Sequence, residues 1–247
     1  MQEHDVFPRM ADKIPEGSVG SARVTHFTVT RADSSFTALR SVVTGRRAEI
    51  VSPGRYARLS IEDELVMTDE AVRSTGGRGW CGGAEAPEGG TTMERRTNRP
   101  LIEHARGHVL VGGLGLGMVV FGLLAKKPAI RSLVVLEVSP DVIALIQPHL
   151  PVDARLTIVQ VDVFGWDGWQ DHAEHGWQEQ GWRGRSPRRG LSRKGPQFDT
   201  IYFDIWPSIQ ASNIPSAELL RGLAAGRVAR GGWMGDWDTA YRKLERR

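Results

Sequence analysis

Cysteine is all but missing from these 247 residues: Cys81 is the only one. A single cysteine excludes an intrachain disulfide framework and points to a reducing compartment, taken here as the cytoplasm. Cys81 sits in a glycine-rich stretch with no His or Asp motif beside it, so it lacks the neighbours that activate a thiol nucleophile. Histidines are few, and His172 and His175 have no third ligand nearby, so no metal centre is expected. A strong excess of one charge is also lacking. The net charge of +3 and a pI near 9.3 are too mildly basic to support a nucleic-acid partner on their own. The opening MQEHDVFPRM has no basic-then-apolar export pattern. The one long uncharged run, residues 109–125, is near the lower length limit for crossing a bilayer, but it holds five glycines. It reads as strand, turn and helix rather than a membrane span.

What is present is ordinary globular material, 40% hydrophobic and 25% charged, long enough for one α/β domain with a smaller appendage. The organising stretch is HVLVGGLGLGMVVFGLLAKKPAIRSLVVLEVSP, His108 to Pro140. An apolar strand stops at Gly112, Gly113, Gly115 and Gly117, a helix follows, and a second apolar strand ends at Glu137. This is the first half of a nucleotide-binding α/β unit. The glycine spacing decides which nucleotide. A dinucleotide fold requires Gly-x-Gly-x-x-Gly so that backbone closes on a pyrophosphate, and that would put glycine where Met118 or Val120 stands. Gly113-x-Gly115-x-Gly117 gives a wider turn, suited to a ligand without phosphate whose amino-acid tail lies along the backbone. Glu137, twenty residues past Gly117, stands where a carboxylate can take both ribose hydroxyls. Both features favour S-adenosylmethionine over NAD.

On these residues the chain resembles class I S-adenosylmethionine-dependent methyltransferases, and most closely their spermidine synthase-like branch. That branch places a Glu, then a Pro, ahead of the first strand, and Glu94 and Pro100 stand in those places before Val109. The resemblance runs from about Tyr56 to Trp237 and implies a doubly wound, mostly parallel Rossmann-like sheet behind a small N-terminal β-module. It also implies S-adenosylmethionine as cofactor, held by Gly112, Gly113, Gly115, Gly117, Glu137 and Asp162, with Asp162 on the adenine amino group.

Along the chain, residues 1–20 read as a loose polar arm and 21–69 as a small antiparallel β-module. Residues 70–92 read as a glycine-rich loop, a surface insertion or else a lid. Residues 93–247 form the cofactor-binding domain. Within it, 165–197 is an irregular insertion carrying Trp166, Trp169, Trp177 and Trp182 and then a basic run from Arg183 to Lys194. Tryptophans among arginines can stack single strands, but these arginines share no period that would gather them on one face. Ser139 or Asp141 caps a helix beside Pro140, and Leu156 to Val161 is a third strand. Phe198 to Phe203 is a fourth strand, and a helix runs from near Ser216 through Val228 to Gly231-Gly232. Trp233 to Trp237 is a fifth strand. The usual terminal hairpin of methyltransferase sheets has no room after it, so the sheet edge is expected to find cover from the N-terminal module or from a second subunit in a homodimer.

Ligands of such sheets bind beyond the carboxyl ends of the strands. The glycine loop, Glu137, Asp162 and Asp204 fall at four successive strand ends. Asp204 is the best candidate to position an acceptor and take its proton, Trp206 to wall its pocket, and Glu94 to contact substrate or donor. Spermidine synthases carry a second acid three residues after the first, and here that place is Pro207. The expected reaction is therefore methyl transfer to an unidentified acceptor. Aminopropyl transfer from decarboxylated S-adenosylmethionine is an alternative, as is a catalytically silent S-adenosylmethionine-binding or assembly protein.

Overall fold

A computed structural model describes residues 7–35, 49–69, 72–74, 93–125, 128–170, 196–206 and 211–236. Strands β1 (Gly17–Val19), β2 (Ala22–Val29), β4 (Gly54–Ile61) and β5 (Glu64–Thr68) form one antiparallel sheet in that order. Between them, β3 (Glu49–Val51) pairs antiparallel with β6 (Val72–Ser74) as a separate ribbon. The chain continues through α1 (Met93–His104), β7 (Gly107–Gly112), α2 (Met118–Ala125), β8 (Ile130–Glu137), α3 (Pro140–Ile146) and β9 (Leu156–Gln160). It ends with β10 (Phe198–Phe203), α4 (Ile214–Ala224) and β11 (Val228–Asp236).

The five later strands make one parallel sheet in the order β11-β10-β7-β8-β9. The expected Rossmann-like fold is thus present: the chain starts in the middle with β7, winds outward through β8 and β9, then returns to β10 and β11 on the other side. The winding direction reverses between β7 and β10, which opens a crevice at their carboxyl ends. Alternation along β7 and β8 explains why both sheet faces are dry. Val109, Val111, Leu133 and Val135 enter one core with α2, α3 and the N-terminal module. Leu110, Val134 and Leu136 enter the other with Ile201, Phe203 and Leu220. Trp166 is buried in this second core, its ring 4.6 Å from that of Trp169 in a T-shaped contact. Ser139 caps α3 by accepting the Val142 N–H at 3.2 Å, with Pro140 in the first turn.

The structure departs from several of the expectations drawn from the sequence. Residues 7–20 are no loose arm: Phe7, Met10, Ala11 and Ile14 are buried, and β1 pairs with β2. Their polar neighbours hide an apolar set at helical spacing, closed as a short turn over residues 10–12 and packed on the larger core. The helix read as running to Val228 ends at Ala224, and Val228 opens β11 instead. Gly231, at φ 76°, accommodates a register shift against β10, so the paired glycines lie inside a strand rather than after a helix. The antiparallel module also begins slightly before residue 21, at Gly17, and the β3–β6 ribbon reaches into the stretch read as loop. Cys81, His172, His175, Pro207, the basic run from Arg183 to Lys194 and the possible lid at 75–92 lie outside the described residues. No described helix is long and apolar enough to cross a membrane.

The module is tied to the sheet domain at the start of α3, and the N-terminal segment is tied to the module at Asp69. Asp141, at the start of α3, accepts the Ser21 N–H at 2.8 Å and the Ser21 hydroxyl at 2.9 Å. The Ser21 main-chain bond, ahead of the hydroxyl bond, holds Asp141 below the ordinary carboxylate pKa. Asp69, fully buried, accepts the Met10 N–H at 2.5 Å and the Ala57 N–H at 2.6 Å. Replacing it with alanine strands two buried donors, so Asp69→Ala is expected to cost about 2–4 kcal/mol of stability in urea unfolding. A loss below about 1 kcal/mol would show that the N-terminal segment is held by apolar packing alone.

Candidate functional site

The crevice between β7 and β10 opens into a cavity of about 410 Å³. Its floor is the bend after β7. Gly113 adopts φ 97°, and a Cβ there would lie 2.2 Å from the Asp204 carbonyl oxygen, so only glycine lets the two strand ends approach. Gly115, at φ 51°, has Met67 Sδ where a Cβ would come within 2.7 Å. Gly113 and Gly115 border the cavity, whereas Gly112 and Gly117 do not. Added carbons at those two positions would meet Phe203 and Leu150 respectively, so glycine there serves strand and helix packing.

Glu137 turns toward the bend. Its Oε2 accepts the Leu114 N–H at 2.9 Å and its Oε1 accepts the Ser139 N–H at 2.9 Å, and only 9% of the residue is exposed. Each carboxylate oxygen offers two lone-pair directions, so one on each remains for a ligand. Asp162 borders the same cavity and accepts the Phe164 N–H at 2.9 Å through Oδ1, which caps the short turn Val163–Gly165. It therefore shapes the turn and lines the cavity at once.

Asp204 stands just past β10, half-buried, and borders the cavity. Loss of water raises its pKa above the ordinary aspartate value. The hydrogen bond from Asn98 Nδ2, at 3.1 Å, pulls the other way without reversing the shift. Trp206 also borders the cavity, and its Nε1–H donates to Ser216 Oγ at 2.9 Å. Ser216 in turn donates to the Asn213 carbonyl at 2.8 Å, which anchors the indole to the start of α4. Glu94 lies in α1, four residues ahead of Asn98, and its side chain is outside the described residues.

Two features of the site were not read from sequence. One is Asn98, fully buried on α1 and bonded to Asp204. An Asn among Arg95, Arg96 and Arg99 carries no pattern of its own, and only the fold brings it across 106 residues to Asp204. The other is the roof formed by Leu59, Ile61, Val66 and Met67 of the β4–β5 hairpin. Met67 Sδ accepts the Leu116 N–H at 3.3 Å, placing the hairpin directly on the glycine bend. Their alternation marks strands, but nothing local says which cavity a strand will cover.

The described lining is mostly apolar. Its charged groups are Glu137, Asp162 and Asp204, with no Lys, Arg or His among the described lining residues. Carboxylates in a low-dielectric crevice favour cationic or hydroxyl-bearing ligands and oppose phosphates and carboxylates.

No protein-family model matches this chain, and neither does any curated protein. Among solved structures it is similar to N-methyltransferase NodS from Bradyrhizobium japonicum, at 14% identity over 57% of this chain and 64% of that one, with a TM-score of 0.37. It is similar to human methyltransferase-like protein 13 in complex with SAH, at 13% identity over 56% of each chain and a TM-score of 0.37. It is also similar to spermidine synthase from Thermotoga maritima, at 13% identity over 94% of this chain and 63% of that one, with a TM-score of 0.46. The chain thus spans less than two thirds of the length of each. At these values the likenesses bear no weight. The residues of the cavity do.

The raised pKa of Asp204 has a thermodynamic consequence. A carboxyl whose folded pKa exceeds its unfolded value contributes most to stability below the unfolded value, and that contribution is lost as pH rises through the folded one. Asp204→Asn is therefore expected to unfold at a higher temperature than the wild type at pH 7, with the gap closing as pH falls through the folded value. Equal melting temperatures across the whole pH range would show that the carboxyl is as well solvated in the fold as outside it.

Proposed function

We propose that this chain is an S-adenosylmethionine-dependent methyltransferase acting on an amine or hydroxyl presented to Asp204. The observation that carries the reading is the pairing of Glu137 with a phosphate-free glycine bend. The carboxylate is fixed by Leu114 N–H and Ser139 N–H, and it keeps one acceptor direction on each oxygen for the two hydroxyls of a ribose. A dinucleotide fits less well, because its pyrophosphate would enter a crevice whose described charges are all negative.

The residues present fit the group. Gly113 and Gly115 leave bare backbone along which an amino-acid tail can lie, and Val138, Asp162 and Phe164 line the side where an adenine would rest. When bound, S-adenosylmethionine supplies a methyl group already activated on a positively charged sulfur. The chain then has to hold a nucleophile in line with that methyl group and keep water away, an effect for which effective molarities of about 10⁵–10⁸ M are available. Asp204 accepts a hydrogen bond from the nucleophile and takes its proton, and its raised pKa makes it a better base than an exposed aspartate. Trp206 and the roof of Leu59, Ile61, Val66 and Met67 exclude water and suit an acceptor with an apolar frame. Aminopropyl transfer is disfavoured by Pro207, which stands where spermidine synthases have their second acid.

Calorimetry is expected to show micromolar-range binding of S-adenosylmethionine. Glu137→Ala should weaken it by about 1.5–3 kcal/mol, roughly 10- to 150-fold. Unchanged affinity in that variant, or tighter binding of NAD, would remove the ribose assignment. Turnover is to be sought with methyl-labelled donor against matched panels of amines, phenols, alcohols and thiols. Asp204→Asn should slow it by about 10²–10⁴-fold without loss of donor affinity. A preference for decarboxylated donor would establish aminopropyl transfer instead, and binding without turnover across the panels would point to the silent protein.

A further inference from the structure

We propose that Asn98 is the positioning residue for Asp204: it fixes the carboxylate in the orientation that receives the acceptor's proton. The inference rests on the reading of Asp204 given above and adds a residue to that site.

The geometry is built rather than incidental. Asn98 is fully buried on α1, and its Nδ2–H donates to Asp204 Oδ2 at 3.1 Å. The preceding residue, Thr97, is buried as well, and its carbonyl accepts the Tyr202 hydroxyl at 3.0 Å. Tyr202 and Asp204 are two apart along β10 and its extension, so two successive residues of α1 engage the same side of one strand end. A third contact holds the far end of the helix. The His104 ring, in the last turn of α1, stacks on Trp233 of β11 with centroids 5.0 Å apart, and Trp233 stacks on Tyr202 at 6.1 Å. The His104 Nδ1 lies 2.8 Å from the Pro100 carbonyl, which steadies that ring.

α1 is thus clamped to β10 and β11 at Thr97 and His104, and Asn98 sits inside the clamp. A donor held in this way selects one rotamer of the Asp204 carboxylate. Oδ2 is engaged by Asn98, leaving Oδ1 as the oxygen that meets the acceptor. The other carboxylates on the cavity have main-chain donors of their own, Leu114 and Ser139 for Glu137 and Phe164 for Asp162. Among the described residues Asn98 is therefore the side chain assigned to Asp204.

The test uses the full chain and three variants: Asn98→Leu, which keeps the volume and removes the donor, Asp204→Asn, and the double variant. Carbon-13 carboxyl resonances of labelled aspartate are followed through a pH titration, with the Asp204 signal identified by its loss in Asp204→Asn. The expected result is an upward move of the Asp204 midpoint in Asn98→Leu. Calorimetric affinity for S-adenosylmethionine should stay within about twofold of wild type, because the donor site lies on Glu137 and the glycine bend. With an acceptor that turns over in the panels, kcat should fall roughly 10- to 100-fold in Asn98→Leu. It should fall no further when that change is added to Asp204→Asn, since two residues acting as a unit are not additive. An unmoved Asp204 titration overturns the proposal, and so does a kcat loss that multiplies independently in the double variant. Should Asp204→Asn turn over at the wild-type rate, it is Asp204 as base that fails, while the titration still reads the Asn98 contact by itself.

Discussion

The rim of this protein depends on one carboxylate that ties three pieces of chain together. Glu137 closes β8, holds the bend after β7 through Leu114 N–H, and holds the approach to α3 through Ser139 N–H. Hydrogen bonds to an ionised acceptor contribute about 1.5–3 kcal/mol each, enough to keep a glycine-rich bend in one conformation when no ligand is there to order it. Without that anchor the bend's bare backbone would have many conformations to lose on binding, and affinity would fall accordingly. The group proposed to recognise a ribose is thus also the group that prepares the surface beneath it.

A second consequence follows from the other edge of the bend. Gly113 lets β7 and β10 end in near contact, and this puts Asp204 into the crevice wall where water has limited access. The fold bears a cost for that placement, since burying a carboxylate disfavours its charged form. Asn98 offsets part of the cost by favouring the charge, and the balance leaves a pKa still above the ordinary range. Arg221 of α4 and Asp236 at the end of β11 show the contrasting arrangement. There a buried carboxylate is matched by a guanidinium at 2.8 Å and has little left to offer a ligand. Among the described residues Asp204 has an amide for a partner in place of a cation, which suits the role of base proposed for it.

Much of the sheet and of its donor side was legible because that information is local. Val109 to Val111, the glycines, and Leu133 to Glu137 announce strand, bend and strand within thirty residues, and the strand-end acids follow by counting. The same locality misled at the termini. Residues 1–20 read as a loose arm from their polar texture, yet Phe7, Met10 and Ile14 pack on the larger core and Asp69 holds the Met10 N–H. Gly231 and Gly232 looked like a helix stop because a bulged strand and a capped helix use glycine for the same backbone freedom. The glycines also divide by role only in space: Gly113 and Gly115 face the cavity, while Gly112 and Gly117 face Phe203 and Leu150. Spacing alone treats all four alike.

Of the acceptor side only Asp204 and Trp206, placed by their strand end, were legible, and the rest was not for a related reason. Its walls come from segments far apart in sequence: Leu59 to Met67 on the module, Asn98 on α1, and Asp204 to Trp206 after β10. The hairpin and Asn98 carry no motif, and the joint chemistry of these segments, one desolvated carboxyl under an apolar roof, exists only once the module docks. That docking reaches into the site itself, since Met67 Sδ receives the Leu116 N–H of the bend. The small sheet is therefore part of the cavity's wall and not an appendage to it. Its hairpin sets the height and polarity of the space above the glycine bend, and on the proposed function that space is where nucleophiles would be selected.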